Sequence, residues 1–479
     1  MNQSPAPDAS GSAPIHEQIY ARYRAMIEQG QLKPGQRVSS LRALAIELGV
    51  ARGTVQVAYD RLLGEGYLIS RGPAGTFVSE HTTPAKPERA KSPRAAVHHL
   101  PLQDTSGAMF EMEGGDPAAL QLGLPALDEF PRKLWARLMA REVRKAGSLN
   151  KPAPAGYAPL REALAAYLHR SRGIDAQPTQ VFVVPAYTAG VALAVDALKL
   201  TGASAWVESP GYPPTSHTLG RIGLQICDVP VDDQGVDVGY GRQHFPNARL
   251  AVVTPSHQSP TGVALSLQRR VELLDWAGKR GAWIIEDDYD GEYRYRGHPL
   301  PALKSLDACD RVVYCGTLSK VLFPGLRLSY VVVSPSLVPS FELACRRTVH
   351  GGCPELMQAA AAGFIAEGHF ARHIKRMRTL YARRRAMLAE ALAPYAADGF
   401  TVHLQDGGMH LLVDVRDDLD DIVLATRARE AGFAVHALTA WRNGSPGRRG
   451  LLMGFTNIRN QAEAKRLVAE LMRAFDLAA

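Results

Sequence analysis

The sequence predicts an α/β protein in two unequal parts, and three observations carry that reading. Apolar runs of strand length, such as VFVVPA (181–186), GAWIIEDD (281–288) and LSYVVVS (328–334), recur between helical patterns. Runs that are apolar throughout suit strands buried on both faces, the condition of a mainly parallel sheet covered by helices. The first 80 residues read differently, as short helices broken at glycine and followed by a hairpin pattern. Between the two lie residues 81–108, rich in proline, alanine and basic side chains and without a steady period, the composition of an extended tether. The expected boundaries are 14–80 for the head, 81–108 for the tether and 109–479 for the large part.

Bulk properties narrow the class. Of 479 residues 46% are hydrophobic and 21% charged, the balance of a soluble globular protein. No apolar run approaches the ~18–20 residues needed to cross a bilayer. The opening MNQSPAPDASGSAP has neither a basic nor a hydrophobic segment of the secretory kind. Five scattered cysteines without Cys-x-x-Cys spacing argue against a disulfide framework and against a zinc site, and for a reducing, cytoplasmic setting. The pair His98-His99 lacks partner ligands at metal-binding spacing. The formal net charge is +8, and residues 1–100 carry 12 Lys and Arg against 8 Asp and Glu. That excess is compatible with a polyanionic partner.

Along the head, Ile15, Ile19, Tyr23 and Ile27 fall at helical spacing, and Lys-Pro-Gly then ends the segment. In SSLRALAIELGV (39–50), Ser39 and Ser40 can cap, Leu41, Leu44, Ala45 and Leu48 form an apolar stripe, and Gly49 closes the helix. RGTVQVAYDRLLGEGYL (52–68) opens as a second amphipathic helix with Val55, Ala58, Tyr59 and Leu62 inward. Two short helices joined through glycine are the helix-turn-helix plan, and the second would present Arg52, Thr54 and Gln56 to a major groove. YLISRGPAGTFVSE then forms a hairpin with Arg71 at its tip, a wing. A three-helix scaffold that binds no nucleic acid is the plain alternative.

The stretch PGQRVSSLRALAIELGVARGTVQVAYDRLLGEGYLISRGPAGTFV resembles a GntR-type winged helix-turn-helix. The resemblance implies a double-stranded DNA operator as partner. It implies contacts to phosphates or base edges from Ser40, Arg42 and Arg52, a DNA contact from Thr54, and entry of Arg71 and Gly72 into the minor groove. Arginine suits these tasks because its fork binds phosphate or guanine in bidentate fashion. Two departures stand out. Ala51 occupies the position of a capping Ser or Thr, and Gly53 that of a bulkier polar residue.

In the large part the expected strands are 181–186, 203–209, 224–231, 249–255, 281–288, 311–317 and 328–334, with helices such as TAGVALAVDALKL and SLQRRVELLDWAGKR between them. Ligands of such sheets gather at the carboxyl ends of strands, and there the polar clusters sit. GTLSKVLFPGLRLSY (316–330) carries a lone lysine, Lys320, among small hydroxyl side chains. A lysine that forms a Schiff base with an aldehyde cofactor needs a phosphate anchor, an acid for the ring nitrogen, a donor for the ring hydroxyl and an aromatic plate. Arg327, Thr317 and Ser319 flank the lysine and suit the phosphate. Asp287 ends a strongly apolar strand, where a buried carboxylate demands a cationic partner. Tyr289 lies on the same side two residues on. Tyr212 in ESPGYPP suits the plate, and PAYTAG (185–190) offers Tyr187, Thr188 and the amides of a helix start to the phosphate. Each residue singly has a plain structural reading; together, at strand ends, they make a cofactor site.

These residues, with GYAPLREALAAYL (156–168) and TPSHQSPTG (254–262), make residues 110–475 resemble a fold-type I, class I aminotransferase that binds pyridoxal 5'-phosphate. Combined with the GntR-like head, the whole chain resembles a MocR-family transcriptional regulator. The resemblance implies an internal aldimine on Lys320, a large sheet domain with a smaller C-terminal α+β domain, and a homodimer. It also implies a site that senses an amine, an amino compound or the cofactor itself. The departures bear on turnover. Ser259 replaces the asparagine before Pro-Thr-Gly, leaving the ring oxygen to Tyr289 with His257 or Gln258. Lys151 stands near the place of a tyrosine given across the dimer. Leu452 stands where an arginine grips the substrate α-carboxylate, with Arg442 and Arg449 nearby as substitutes. The competing reading is an active aminotransferase with an appended DNA-binding head.

Overall fold

The computed structural model describes residues 14–80, 117–145, 152–295, 301–348, 352–442 and 447–475. The tether 81–108, the pair His98-His99 and Lys151 lie outside the described residues. The chain divides into two compact units, Met1–Leu102 and Gln103–Ala479.

In the first unit, α1 (Ile15–Glu28), α2 (Leu41–Leu48) and α3 (Arg52–Gly64) precede a hairpin of β1 (Leu68–Ser70) and β2 (Thr76–Val78). Ile19, Ile27, Leu44, Val55, Tyr59, Leu62, Leu68 and Val78 close its core, whereas Ile15, on the first turn of α1, stays exposed. Ser40 caps α2, its Oγ accepting from the Ala43 amide, and Gly49 ends it in the left-handed conformation. Ala51 supplies no side-chain cap to α3.

The second unit is built on an eight-stranded sheet in the order β3-β10-β9-β8-β7-β4-β5-β6. Its strands are β3 (Val181–Val184), β4 (Ser204–Ser209), β5 (Gln225–Asp232), β6 (Gly235–Val236), β7 (Leu250–Val253), β8 (Trp283–Asp288), β9 (Val312–Thr317) and β10 (Ser329–Val332). Pairing is parallel from β9 through β8, β7 and β4 to β5; β10 runs antiparallel to both β3 and β9, and β6 antiparallel to β5. Residues of β3, β7 and β10 are all buried, since helices cover both faces of the sheet. Because β10 is reversed, its start lies at the edge where the parallel strands end, so the β9–β10 connection with Lys320 and Arg327 arrives there.

A second, smaller sheet has the order β11-β12-β14-β13, fully antiparallel, from Phe400–His403, His410–Val415, Gly450–Gly454 and His436–Ala437 in that order. The long helix His369–Leu392 and the helix Gln461–Ala474 share its core through Met377, Leu388, Leu467 and Leu471. Residues 119–124 reach this sheet as well. The Ala434 amide donates to Ala119 O at 2.9 Å and the Gly454 amide to Leu120 O at 2.8 Å.

Candidate functional site

The strand ends of the large sheet surround a cavity of about 380 Å³. Its sheet side is assembled from the segments that follow β3 (Tyr187, Thr188) and β4 (Tyr212), from the end of β8 and the residues after it (Asp287, Tyr289) and from the end of β9 and the loop after it (Thr317, Ser319, Lys320), with Arg327 just before β10. All nine side chains proposed for the cofactor from sequence therefore line one cavity.

Strand alternation sorts the acidic run at the end of β8. Glu286 turns to the covered face, where it accepts from the Leu303 and Lys304 amides at 2.7 and 2.8 Å. Asp288 faces the same way, held by Arg172 Nε at 2.6 Å and the Tyr314 hydroxyl at 2.7 Å. Asp287 between them faces the cavity. Burial, followed by Asp288, Glu208 and Asp290, pushes its carboxyl well above the usual range, while Lys320 pulls it back. A buried carboxyl so placed favours a cationic partner.

At the other end, Ala186, Tyr187 and Thr188 at the start of the helix Tyr187–Ala197 line the cavity, and among the described residues no side chain caps that helix start, whose first amides lack intrahelical partners. The Thr317 hydroxyl braces the lysine loop: it receives the Ser319 amide at 3.2 Å and the Ser329 hydroxyl at 2.9 Å. Arg327 holds a left-handed backbone, φ 50°. That is a strained conformation for a non-glycine residue, of a kind that persists where the surrounding fold enforces it.

Tyr212 lies 6.1 Å from Tyr187 and 6.0 Å from Trp441, ring centre to ring centre. The Tyr289 hydroxyl is 3.0 Å from His257 Nδ1, whose other neighbour is Asp290 Oδ2 at 3.2 Å. Burial and Asp290 hold the Tyr289 phenol well above its usual range, and the Ser259 side chain bonds it in the opposite sense. Gln258 faces away, donating to Glu208 and to the Pro210 carbonyl.

The opposite wall comes from residues that sequence reasoning missed: Gly123, His410, Arg429, His436 and Trp441. Gly123 has φ +62°, and a Cβ there would stand 2.4 Å from Lys320 Nζ. The motif Gly-Leu-Pro was the only available signal for it. Arg442 and Arg449 do not line the cavity, a correction to the expected carboxylate clamp. Arg449 donates to the carbonyls of Asp417 and Leu419 at 3.0 and 2.9 Å. Arg442 packs beside Gly447, its charge disfavoured by burial. Leu452 is fully buried in an apolar cluster with Leu412, Leu438 and Trp441, on which Leu122 and Tyr212 pack.

On the head, Arg42 and Arg52 are exposed, Thr54 is half-buried, and Gln56 donates to Asp60 Oδ1 at 2.6 Å. Arg71 lies over the Phe77 ring and pairs with Glu80 at 2.9 Å. Gly72, beside it, begins the single turn at the hairpin tip with φ 60°. Such an exposed pair contributes little and is readily exchanged for another anion. Arg37, missed in the sequence, crosses the hairpin beside Gly75, where a Cβ would stand 2.8 Å from its Nε.

The pattern of the family "Aminotransferase class I and II" matches residues 126–443, and that of "Bacterial regulatory proteins, gntR family" matches residues 15–78. The probable rhizopine catabolism regulatory protein MocR of Rhizobium meliloti is 36% identical over 94% of this chain and 92% of that protein. The HTH-type pyridoxine biosynthesis transcriptional regulator PdxR of Corynebacterium glutamicum is 33% identical over 92% of both. Among solved structures, an archaeal alanine:glyoxylate aminotransferase superposes with a TM-score of 0.70 at 23% identity, over 78% of this chain and 94% of that one, a likeness of fold. Pyrococcus horikoshii kynurenine aminotransferase superposes with a TM-score of 0.69 at 25% identity, over 78% and 95%.

Proposed function

Because the chain belongs to the MocR-type family of HTH transcriptional regulators, a gntR-type head joined to an aminotransferase-like domain, we propose that it is a regulator in which pyridoxal 5'-phosphate, held on Lys320, reports an amine or the cofactor supply to a DNA-bound homodimer. The observation that carries this reading is the buried Asp287 carboxyl facing the same cavity as Lys320. Two further features fit the group: the space left by Gly123 around Nζ, and the uncapped helix start beside Thr188, Ser319 and Arg327.

When bound, the cofactor supplies an aldehyde that condenses reversibly with primary amines and absorbs visible light. Lys320 is the nucleophile that anchors it. Asp287 holds a proton on the ring nitrogen, Tyr289 bonds the ring oxygen with His257 behind it, and Tyr212 covers the ring. Arg327, Ser319, Thr188 and the helix amides hold the phosphate. The apolar Leu452 weighs against amino-acid turnover, since an α-carboxylate placed there would lose a charge-assisted anchor of ~1.5–3 kcal/mol.

An absorption spectrum of the purified full chain with added pyridoxal phosphate tests the proposal. A visible band that borohydride abolishes and Lys320→Ala lacks is expected. Its absence from the wild-type chain would overturn the cofactor reading. An amine that alters DNA affinity without producing a keto acid is expected for a sensor, whereas sustained keto-acid formation would support the enzyme reading.

A further inference from the structure

Behind the tyrosine that faces the cavity lies a buried acid without an assigned task. Asp290, two residues beyond β8, is 1% exposed, and among the described residues no lysine or arginine pairs with it. The nearby Arg294 is committed to Asp406 at 3.0 Å. A buried carboxylate without a full counter-charge is costly, and such groups gather where a site needs them. Its Oδ2 stands 3.2 Å from His257 Nδ1, and that nitrogen stands 3.0 Å from the Tyr289 hydroxyl. The imidazole is confined to this place: a Cβ on Gly408 would come within 2.5 Å of its Nε2, and one on Gly262 within 3.0 Å. A carboxylate beside Nδ1 favours the form of the ring that keeps hydrogen on that nitrogen. Nδ1–H then donates to the Tyr289 oxygen, which the Ser259 side chain also bonds, and the phenol hydrogen is left for the cavity. The other charged or titratable groups around this cluster are Asp287, Arg294 and Tyr295 on the same stretch of chain, and Asp406 and His410 from the smaller sheet and the loop before it.

Resting on the cofactor reading given above, we infer that Asp290 is a positioning residue, which through His257 keeps the Tyr289 hydroxyl a donor to the ring oxygen of the cofactor. Without the carboxylate, hydrogen can sit on His257 Nε2 instead. Nδ1 then accepts the phenol hydrogen, and the ring oxygen loses its donor.

The test uses the full chain loaded with pyridoxal phosphate, with the visible band followed against pH. Its midpoint reports the proton that the Lys320 nitrogen shares with the ring oxygen. Loss of a donor to that oxygen strengthens its hold on the proton and raises the midpoint, whereas loss of a nearby negative charge by itself lowers it. Tyr289→Phe should raise the midpoint by about one pH unit, the scale of one charge-assisted hydrogen bond. Asp290→Asn should also raise it, by roughly half as much or more, and should add nothing in the Tyr289→Phe background. Asp290→Glu, which keeps the charge, should stay close to wild type. A lowered or unchanged midpoint in Asp290→Asn would overturn the inference, as would an equal shift with and without the Tyr289 hydroxyl. Loss of the band in Asp290→Asn or Tyr289→Phe would make that residue part of cofactor binding itself, and the inference would fail. Failure of the underlying reading looks different, since the wild-type chain would then form no band at all.

Discussion

Replacing Gly123 with alanine tests how closely the cavity is built around Lys320. At φ +62° an alanine costs about 1–2 kcal/mol of backbone strain. The new Cβ would stand 2.4 Å from Lys320 Nζ and 3.2 Å from its Cε, whereas ordinary contact begins near 3.4 Å. The clash falls on the far end of a flexible side chain, so the fold can relieve it by moving Nζ about 1 Å. Displacement of a reacting atom by that distance is enough for a roughly 10²-fold loss. In a titration with pyridoxal phosphate followed by visible absorption and borohydride, Gly123→Ala should load about two orders of magnitude less readily than wild type. Gly202→Ala is the control. Its φ of +84° imposes comparable strain, but no atom lies within 4 Å of the added methyl, so loading should be preserved. If Gly123→Ala loads within a factor of about three of wild type, Nζ does not act from the position beside Gly123. If Gly202→Ala loses loading equally, general destabilisation is the cause.

Three further outcomes follow from the same structure. Ala51→Ser should restore the missing cap of α3 and stabilise it by about 1 kcal/mol, roughly fivefold less opening by hydrogen exchange in the full chain; unchanged exchange would show that α3 does not fray from that end. Arg52→Ala, at the exposed start of α3, should weaken DNA binding and lower the slope of log affinity against log salt by about 1, and an unchanged slope would remove Arg52 from the phosphate contacts. Burial lifts Glu208 from 4.5 to about 7, so the folded chain holds a proton that the unfolded chain releases across that interval. The stability contributed by this group is present below about pH 4.5 and falls by roughly 3 kcal/mol as pH rises through 7. Glu208→Gln should therefore reduce the difference in denaturant midpoint between pH 5 and pH 8, and an undiminished difference would exclude Glu208 as its source.

Much of the sheet side of the site was legible in the sequence because parallel strands bring their carboxyl ends to one edge, and period-two alternation separates Asp287 from Glu286 and Asp288. Asp287, Tyr289, Thr317, Ser319 and Lys320 sit within a few residues of apolar runs whose type and direction the sequence already determines. The head was legible for a similar reason: its core residues repeat at helical spacing and its wing is closed by a local turn. The opposite wall was decided only by tertiary structure. Gly123, His410, Arg429, His436 and Trp441 share one cavity with Lys320 across long stretches of chain, and no local period marks which of several arginines faces inward. Arg442 and Arg449 stand nearer in sequence to Leu452 than Arg429 does, yet Arg449 is drawn to the carbonyls of Asp417 and Leu419 while Arg429 faces the cavity from a separate helix. Spacing along the chain determined the strands and the lysine; the packing of a helix against an antiparallel sheet decided which arginine lines the cavity, because side-chain direction across elements depends on contacts that adjacent residues do not encode.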